Sequence, residues 1–181
     1  MIGDLFDRLK LKVLKDGFNK RTDVSDERTD EYSLPLVNAK HGNNGIMYYG
    51  MSKDFESEEM TLDIVQNGAI ATGDAYAEPQ RTGVLGDAYL VKPRNEEARN
   101  TEALLFLASV LQRTIKDKFS YDDKCVWDKA KLLKVKLPTN RNKPDWPFMI
   151  RYMGNVLKGA KENLEAIKMF VEVEVSAVKG E

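Results

Sequence analysis

Hydrophobic positions follow two regimes along this chain. Up to Pro93 they come in short runs broken by Gly, Asn and Pro, and beyond Asn100 they recur at helical intervals. In the first regime, Leu5 and Phe6 suit a helical turn. Leu9, Leu11 and Val13 alternate with Lys10 and Lys12 at the period of a strand. Gly17–Glu31 is polar and aperiodic and reads as a loop. Leu34–Val37 is a short strand, which Pro35 assigns to a strand start or a sheet edge. Gly42-Asn43-Asn44-Gly45 tolerates positive φ and makes a tight turn into the strand Ile46–Tyr49. Asp54–Glu59 reads as a solvated acidic stretch. Leu62–Val65 and Ala69–Ala71 flank Asn67-Gly68, a two-residue hairpin signal, and Val84–Val91 is a further β run closed by Pro93. These runs predict a β meander.

In the second regime, Ala103, Leu104, Phe106, Leu107, Val110, Leu111 and Ile115 give Glu102–Lys118 a broad apolar helical face, capped by Asn100 or Thr101. Leu133, Val135 and Leu137 alternate with Lys134 and Lys136, predicting a half-buried strand with a basic outer face. Asp145 suits an N-cap and Pro147 a first helical turn. From there Trp146, Ile150, Met153, Leu157, Ala160, Leu164, Ile167 and Val171 are spaced alternately by four and three, a heptad seam. Gly154 and Gly159 weaken this helix, so it needs a packing partner. Val171, Val173 and Val175 alternate with glutamates, as a terminal strand or a frayed tail would. The expected class is α+β: a twisted, mostly antiparallel β domain with one packed helix over 1–143, then a long coiled-coil-type helix and tail over 144–181.

Composition narrows the chemistry. With 181 residues the chain has room for one domain and an appendage. A single cysteine, Cys125, excludes an internal disulfide and a cysteine-rich zinc site, and a single histidine, His41, limits imidazole catalysis. The opening MIGDLFDRLKLKV has no signal-peptide core, and no window nears the apolar length of a membrane span. A cytoplasmic protein with no membrane partner is expected. Neither a phosphate-binding loop nor a dinucleotide fingerprint is present, so no enzyme activity, cofactor or metal is expected. Cys125, two residues from Trp127, reads as a semi-buried small side chain. Asp74 and Asp87 lie in two similar Gly-Asp-Ala-Tyr stretches and leave a minor metal-dependent nuclease reading.

Charge points elsewhere. The whole chain carries −1, yet Gln112–Lys143 holds ten Lys and Arg against four Asp. Tyr121 and Trp127 interleave with these cations, and Asn140, Arg141 and Asn142 cluster in one loop. A phosphate-facing patch has this composition, as does a solvated basic face opposite Asp54–Asp63. Asn and Arg can also address base edges.

Several stretches, in order, resemble the target-recognition domains of restriction–modification specificity subunits of the Type I and BcgI-like kind. They are Ile2-Gly3-Asp4-Leu5-Phe6; Leu36-Val37 with Asn43-Asn44-Gly45-Ile46; and Asn67-Gly68 before Ala69–Gly73 and Ala75-Tyr76. The most specific block is Lys118-Phe119-Ser120-Tyr121 with Lys124, then Leu132–Pro138, then Pro144-Asp145-Trp146 with Phe148-Met149. Where the family pattern has Gly-Arg after the tyrosine, this chain has Asp122-Asp123. Family members carry two recognition domains and two spacer helices; this chain has room for one of each.

The resemblance implies a non-catalytic module that reads double-stranded DNA for a methyltransferase subunit and, through it, a restriction subunit. Lys118, Lys124, Lys129 and Arg141 would hold phosphates, and Tyr121, Asn43, Asn44, Asn140 and Asn142 would face bases. Ile150, Met153, Leu157, Leu164 and Ile167 would pair two helices in a homodimer. The rival is a protein-interaction module that docks through the heptad helix without binding DNA.

Overall fold

A computed structural model describes residues 1–178; the last three residues of the expected spacer segment 144–181 lie outside the described residues. The chain opens with a helical turn, α1 (Ile2–Leu5), and runs directly into β1 (Phe6–Arg8). Then follow β2 (Val24–Ser25), β3 (Leu34–Val37), β4 (Ile46–Gly50), β5 (Thr61–Val65), β6 (Ala75–Glu78), β7 (Gly83–Val84) and β8 (Ala88–Pro93). The second half holds α2 (Thr101–Ile115), α3 (Trp127–Ala130), β9 (Thr139–Asn140), β10 (Lys143–Pro144) and α4 (Trp146–Val178). The class is α+β.

Two four-stranded sheets carry the domain, ordered β1-β8-β5-β6 and β2-β4-β3-β7. Every pairing is antiparallel except β3 with β7. The first sheet buries Leu62, Ile64, Tyr89 and Val91 against α2, whose inner stripe is Ala103, Leu104, Leu107, Ala108, Leu111 and Ile115. Asn100 caps α2 by accepting from the Ala103 amide, and the helix gives way to Asp117 at φ 68°. The other face of the first sheet meets the second sheet through Val37, Ile46, Ala88 and Leu90.

Several expected elements take another form. The strand expected over Leu9–Val13 does not form: β1 ends at Arg8, and Val13 makes an isolated bridge to Phe55. Ala69–Ala71 is not a strand; it belongs to a turn between β5 and β6, closed by the Thr72 hydroxyl on the Gly68 carbonyl. Leu132–Pro138 joins no sheet. Leu133, Val135 and Leu137 pack on the core while Lys134 and Lys136 are exposed, so the alternation reports burial without a partner strand. β3 is not an edge strand, and Pro35 stands near its start, as its second residue, where β7, pairing with Leu36 and Val37, does not reach. Asp54 is buried rather than solvated. The alternation at Val171–Val175 falls within helix, not strand.

α4 is held only at its start. Asp145 accepts from the Phe148 amide, and Trp146 and Met149 are buried while Ile150 is half-buried. Met149, outside the heptad seam, is the fully buried residue of this helix. Tyr152 closes edge-on against Phe106 of α2 at 5.9 Å. Farther along, the seam is bare: Leu157 is 40%, Leu164 53% and Ile167 60% exposed. A 33-residue helix extends roughly 50 Å, so most of its length stands clear of the domain.

The contact between the sheets contains carboxyl groups. Thr61, Asp63 and Glu78 share the inner face of β5 and β6, and both Asp63 oxygens, Glu78 Oε1 and Thr61 Oγ1 lack protein partners. Burial pushes the Asp63 carboxyl well above its usual range, aided by the charges of Glu78 and Asp74. Burial also raises Glu78 to about 8, against a weaker opposing bond from Thr82. A carboxyl that keeps its proton when folded and releases it when unfolded stabilises fully below the unfolded value. That stability is lost as pH rises towards about 8. Glu78→Gln is expected to flatten the fall in stability between pH 5 and 8, where one proton contributes at most ~1.4 kcal/mol per pH unit. Urea denaturation across pH measures it, and an unchanged slope contradicts the assignment.

Candidate nucleic-acid interface

Three exposed loops hold the predicted contact residues except Lys129, which lies in α3. The first is the turn Gly42–Gly45. All four residues take positive φ, 75°, 48°, 50° and 72°, which Gly and Asn adopt at low cost. A side chain at position 45 would collide with the Asp63 carboxylate, so glycine is required there twice over. Asn43 and Asn44 are both exposed but do different things. The Asn43 amide donates to the Ile46 carbonyl at 3.0 Å and stabilises its own turn. Asn44 lines a shallow depression against Ala108, Ser109 and Gln112 of α2.

Asp74 anchors this turn. It has no solvent exposure, and its carboxylate receives Lys116 Nζ at 2.7 Å, Gln112 Nε2 at 2.9 Å and the Tyr76 hydroxyl at 3.3 Å. His41 Nδ1 lies 2.7 Å from the same group. Burial alone would raise its pKa. The bonds from Lys116, His41 and Gln112 outweigh burial and hold it below the usual carboxylate range. Lys116 also donates to the Ile70 carbonyl, and Tyr76 accepts from the Gly42 amide. One carboxylate therefore joins the 42–45 turn, the 66–74 loop and the end of α2. Both its oxygens are committed, Asp87 instead accepts from Asn67, and no metal-holding group of three or more His, Cys, Asp or Glu occurs among the described residues. Asp74 and Asp87 are thus each engaged with protein donors.

The second loop, 117–125, follows α2 directly. Lys118, Tyr121 and Lys124 are exposed, Tyr121 at 59%. The loop is pinned by Ser120 and Asp123 bonding each other and by the Cys125 amide on the Gln66 carbonyl at 2.9 Å. Asp123 also forms an ion pair with Lys129, so this lysine, expected on phosphate, already has an anionic partner. Cys125 is fully buried, and burial pushes its thiol up to about 11, which leaves it inert at neutral pH.

The third loop is the tip of the β9–β10 hairpin. Asn140 pairs with Lys143 across a two-residue turn, Arg141-Asn142, with φ of 49° and 64°. This is the left-handed geometry that suits hairpins, and arginine is an unusual occupant of its first position. The sequence carried no glycine to signal it. Asn140, Arg141 and Asn142 are all exposed, and the hairpin adjoins α4 through the Asp145 amide on the Pro138 carbonyl.

The structure thus gathers Asn43 and Asn44 with the 117–125 loop through Asp74, Lys116 and Gln66, and sets Asn140–Asn142 on a separate projection. Sequence reasoning missed Asp74 as the organiser, His41 as its partner and the pairing of Lys129. Only the acidic and basic character of these residues was visible beforehand.

No protein-family model matches the sequence, and no curated protein matches it. Among solved structures, the fold is similar to the crystal structure of a Type I restriction–modification system S subunit from M. genitalium. The TM-score is 0.55 at 19% identity, over 93% of this chain and 42% of that one. The chain therefore spans under half the length of that subunit, and the likeness is one of fold.

Removing Lys116 leaves a buried carboxylate short of a partner. Lys116→Met is expected to lower stability by roughly 1–3 kcal/mol, and adding Asp74→Asn to recover part of it. Urea titration of both variants measures the coupling; additive losses would contradict the anchoring role.

Proposed function

We propose that this chain supplies one target-recognition domain and one spacer helix of a non-catalytic specificity subunit of a restriction–modification system, either as a half-length subunit or as one domain of a longer one. In this reading residues 1–143 are one target-recognition domain for double-stranded DNA, and residues 144–181 are the spacer and dimerisation helix with its tail. The observation that carries it is the combination of an S-subunit-like fold over 93% of the chain with a helix whose apolar seam is left bare. Lys118, Lys124 and Arg141 hold phosphates, while Tyr121, Asn44, Asn140 and Asn142 face bases. Lys129 joins them by exchanging Asp123 for a phosphate, and Asn43 keeps the turn in shape. Two copies join through Met153, Leu157, Leu164 and Ile167, and the assembly presents its DNA to a methyltransferase subunit and, through it, a restriction subunit. Among the described residues no helix is long and apolar enough to cross a membrane.

The helix also supports the rival, in which it docks on another protein and the basic face only solubilises. Electrophoretic shift of random duplex DNA over a salt series separates the two. The specificity reading expects binding at low salt that weakens steeply as salt rises. No binding, with or without an added methyltransferase subunit, leaves the rival.

The homodimer has its own test. Leu164 is half exposed and touches no core, so Leu164→Glu should leave the domain folded. Light scattering is expected to give twice the monomer mass for the natural chain and the monomer mass for the variant. Equal masses for the two would remove the seam as the dimer contact.

A further inference from the structure

Beyond Arg8 the N-terminal segment leaves the edge of the first sheet. Its last bond to β8 runs from the Leu9 amide to the Leu90 carbonyl at 2.9 Å. The chain then meets the segment between β4 and β5, where the Glu56 amide donates to the Lys12 carbonyl at 2.9 Å. Leu9 and Leu11 pack inward on Val37, Ile46, Ala88 and Leu90. Arg8, Lys10 and Lys12 occupy the alternate positions and are exposed. As the segment diverges from Val84–Tyr89, a groove of about 490 Å³ opens between them, and these three cations line it.

The row has the features of a polyanion contact. In an extended segment, side chains two residues apart repeat about every 7 Å, close to the interval between successive phosphates of a nucleic-acid strand. None of the three cations is in an ion pair among the described residues. The nearby carboxylates are otherwise engaged: Asp7 with Arg94, Asp128 with Lys131, and Glu56 with the Lys12 amide. The amides of Lys10 and Leu11 have no partner among the described residues and remain available as donors. The Arg8 guanidinium lies over the Tyr89 ring at 5.1 Å, which fixes its plane, and Tyr89 packs edge-on against Trp127 at 6.1 Å. The groove therefore adjoins the segment that carries Lys124 and Lys129.

We propose that Arg8, Lys10 and Lys12 form a phosphodiester track that holds the backbone of duplex DNA along this groove. The inference rests on the DNA-recognition reading and adds to it a surface at the opposite end of the sequence from the Arg141 hairpin. A regular cation interval fits a regular polyanion better than an acidic peptide, whose carboxylates keep no fixed spacing.

Anisotropy of a labelled random duplex, titrated with the full chain over a salt series, tests the track. Each phosphate contact adds about 0.9 to the slope of log K against log salt. Lys10→Ala/Lys12→Ala is expected to lower that slope by about 2 and to weaken binding at least tenfold at low salt. Arg28→Ala/Lys53→Ala, with the same charge loss elsewhere, should keep the slope, and Lys10→Arg/Lys12→Arg should restore it. If the natural chain binds and the Lys10/Lys12 variant keeps its slope, the track is overturned while the DNA reading stands. If the natural chain fails to bind, both fall. Loss of binding to a labelled poly-glutamate peptide in that variant, with the DNA slope unchanged, would reassign the groove to a protein partner.

Discussion

An ionised carboxylate with no access to water must be compensated by fixed donors, and at Asp74 those donors come from distant parts of the chain. Lys116 and Gln112 arrive from the end of α2, His41 from the turn before β4, and Tyr76 from β6. None of these segments can move far without leaving charge uncompensated in a low-dielectric site. The buried charge thus ties the 42–45 turn to the end of α2, from which the 117–125 loop starts, while bonds within each loop set its local shape. The apolar packing of α2 on the first sheet holds the domain together; Asp74 ties the 42–45 turn and the 66–74 loop to the end of α2.

Charge is distributed differently elsewhere on the surface. The Asp122-Asp123 step places negative charge beside Tyr121, but Asp123 is paired with Lys129, so the loop presents less charge of either sign than its composition suggests. Among the described residues Lys118, Lys124, Arg141, Arg8, Lys10 and Lys12 are in no ion pair, and neither are Lys134, Lys136 and Lys143, whereas Lys116, Lys129 and Lys131 are. A local excess of basic residues is thus a poor guide to where a phosphate would lie. Ion pairing redistributes it.

Periodic elements were legible in the sequence. The 3.6-residue stripe from Ala103 to Ile115 and the Asn100 cap specify α2, and the seam from Trp146 specifies α4. The strands β3, β4 and β5 follow from short apolar runs. What failed depended on contacts remote in sequence. Asn67-Gly68 signals a two-residue hairpin, yet the connection is longer because Gly73 packs against Ile115 and the 66–74 loop wraps around Lys116. Leu133, Val135 and Leu137 alternate because they cover the core, and alternation cannot say whether a neighbouring strand exists. Buried polar residues were the least visible. Asp54, Asp63, Asp74 and Glu78 look like any surface acid until the fold encloses them.

The Gly42–Gly45 turn has a consequence for how such a surface could diversify. A side chain at position 45 would meet the Asp63 carboxyl, so glycine is fixed there, and the Asn43 amide braces the turn through the Ile46 carbonyl. Positions 43 and 44 nevertheless sit at positive φ, which admits Asn, Asp and Gly readily and little else. The turn therefore has a fixed frame and a three-letter alphabet: an amide, a carboxylate or nothing. Any change in what this corner of the molecule prefers to touch would arise as an exchange among those three, without rebuilding the fold beneath.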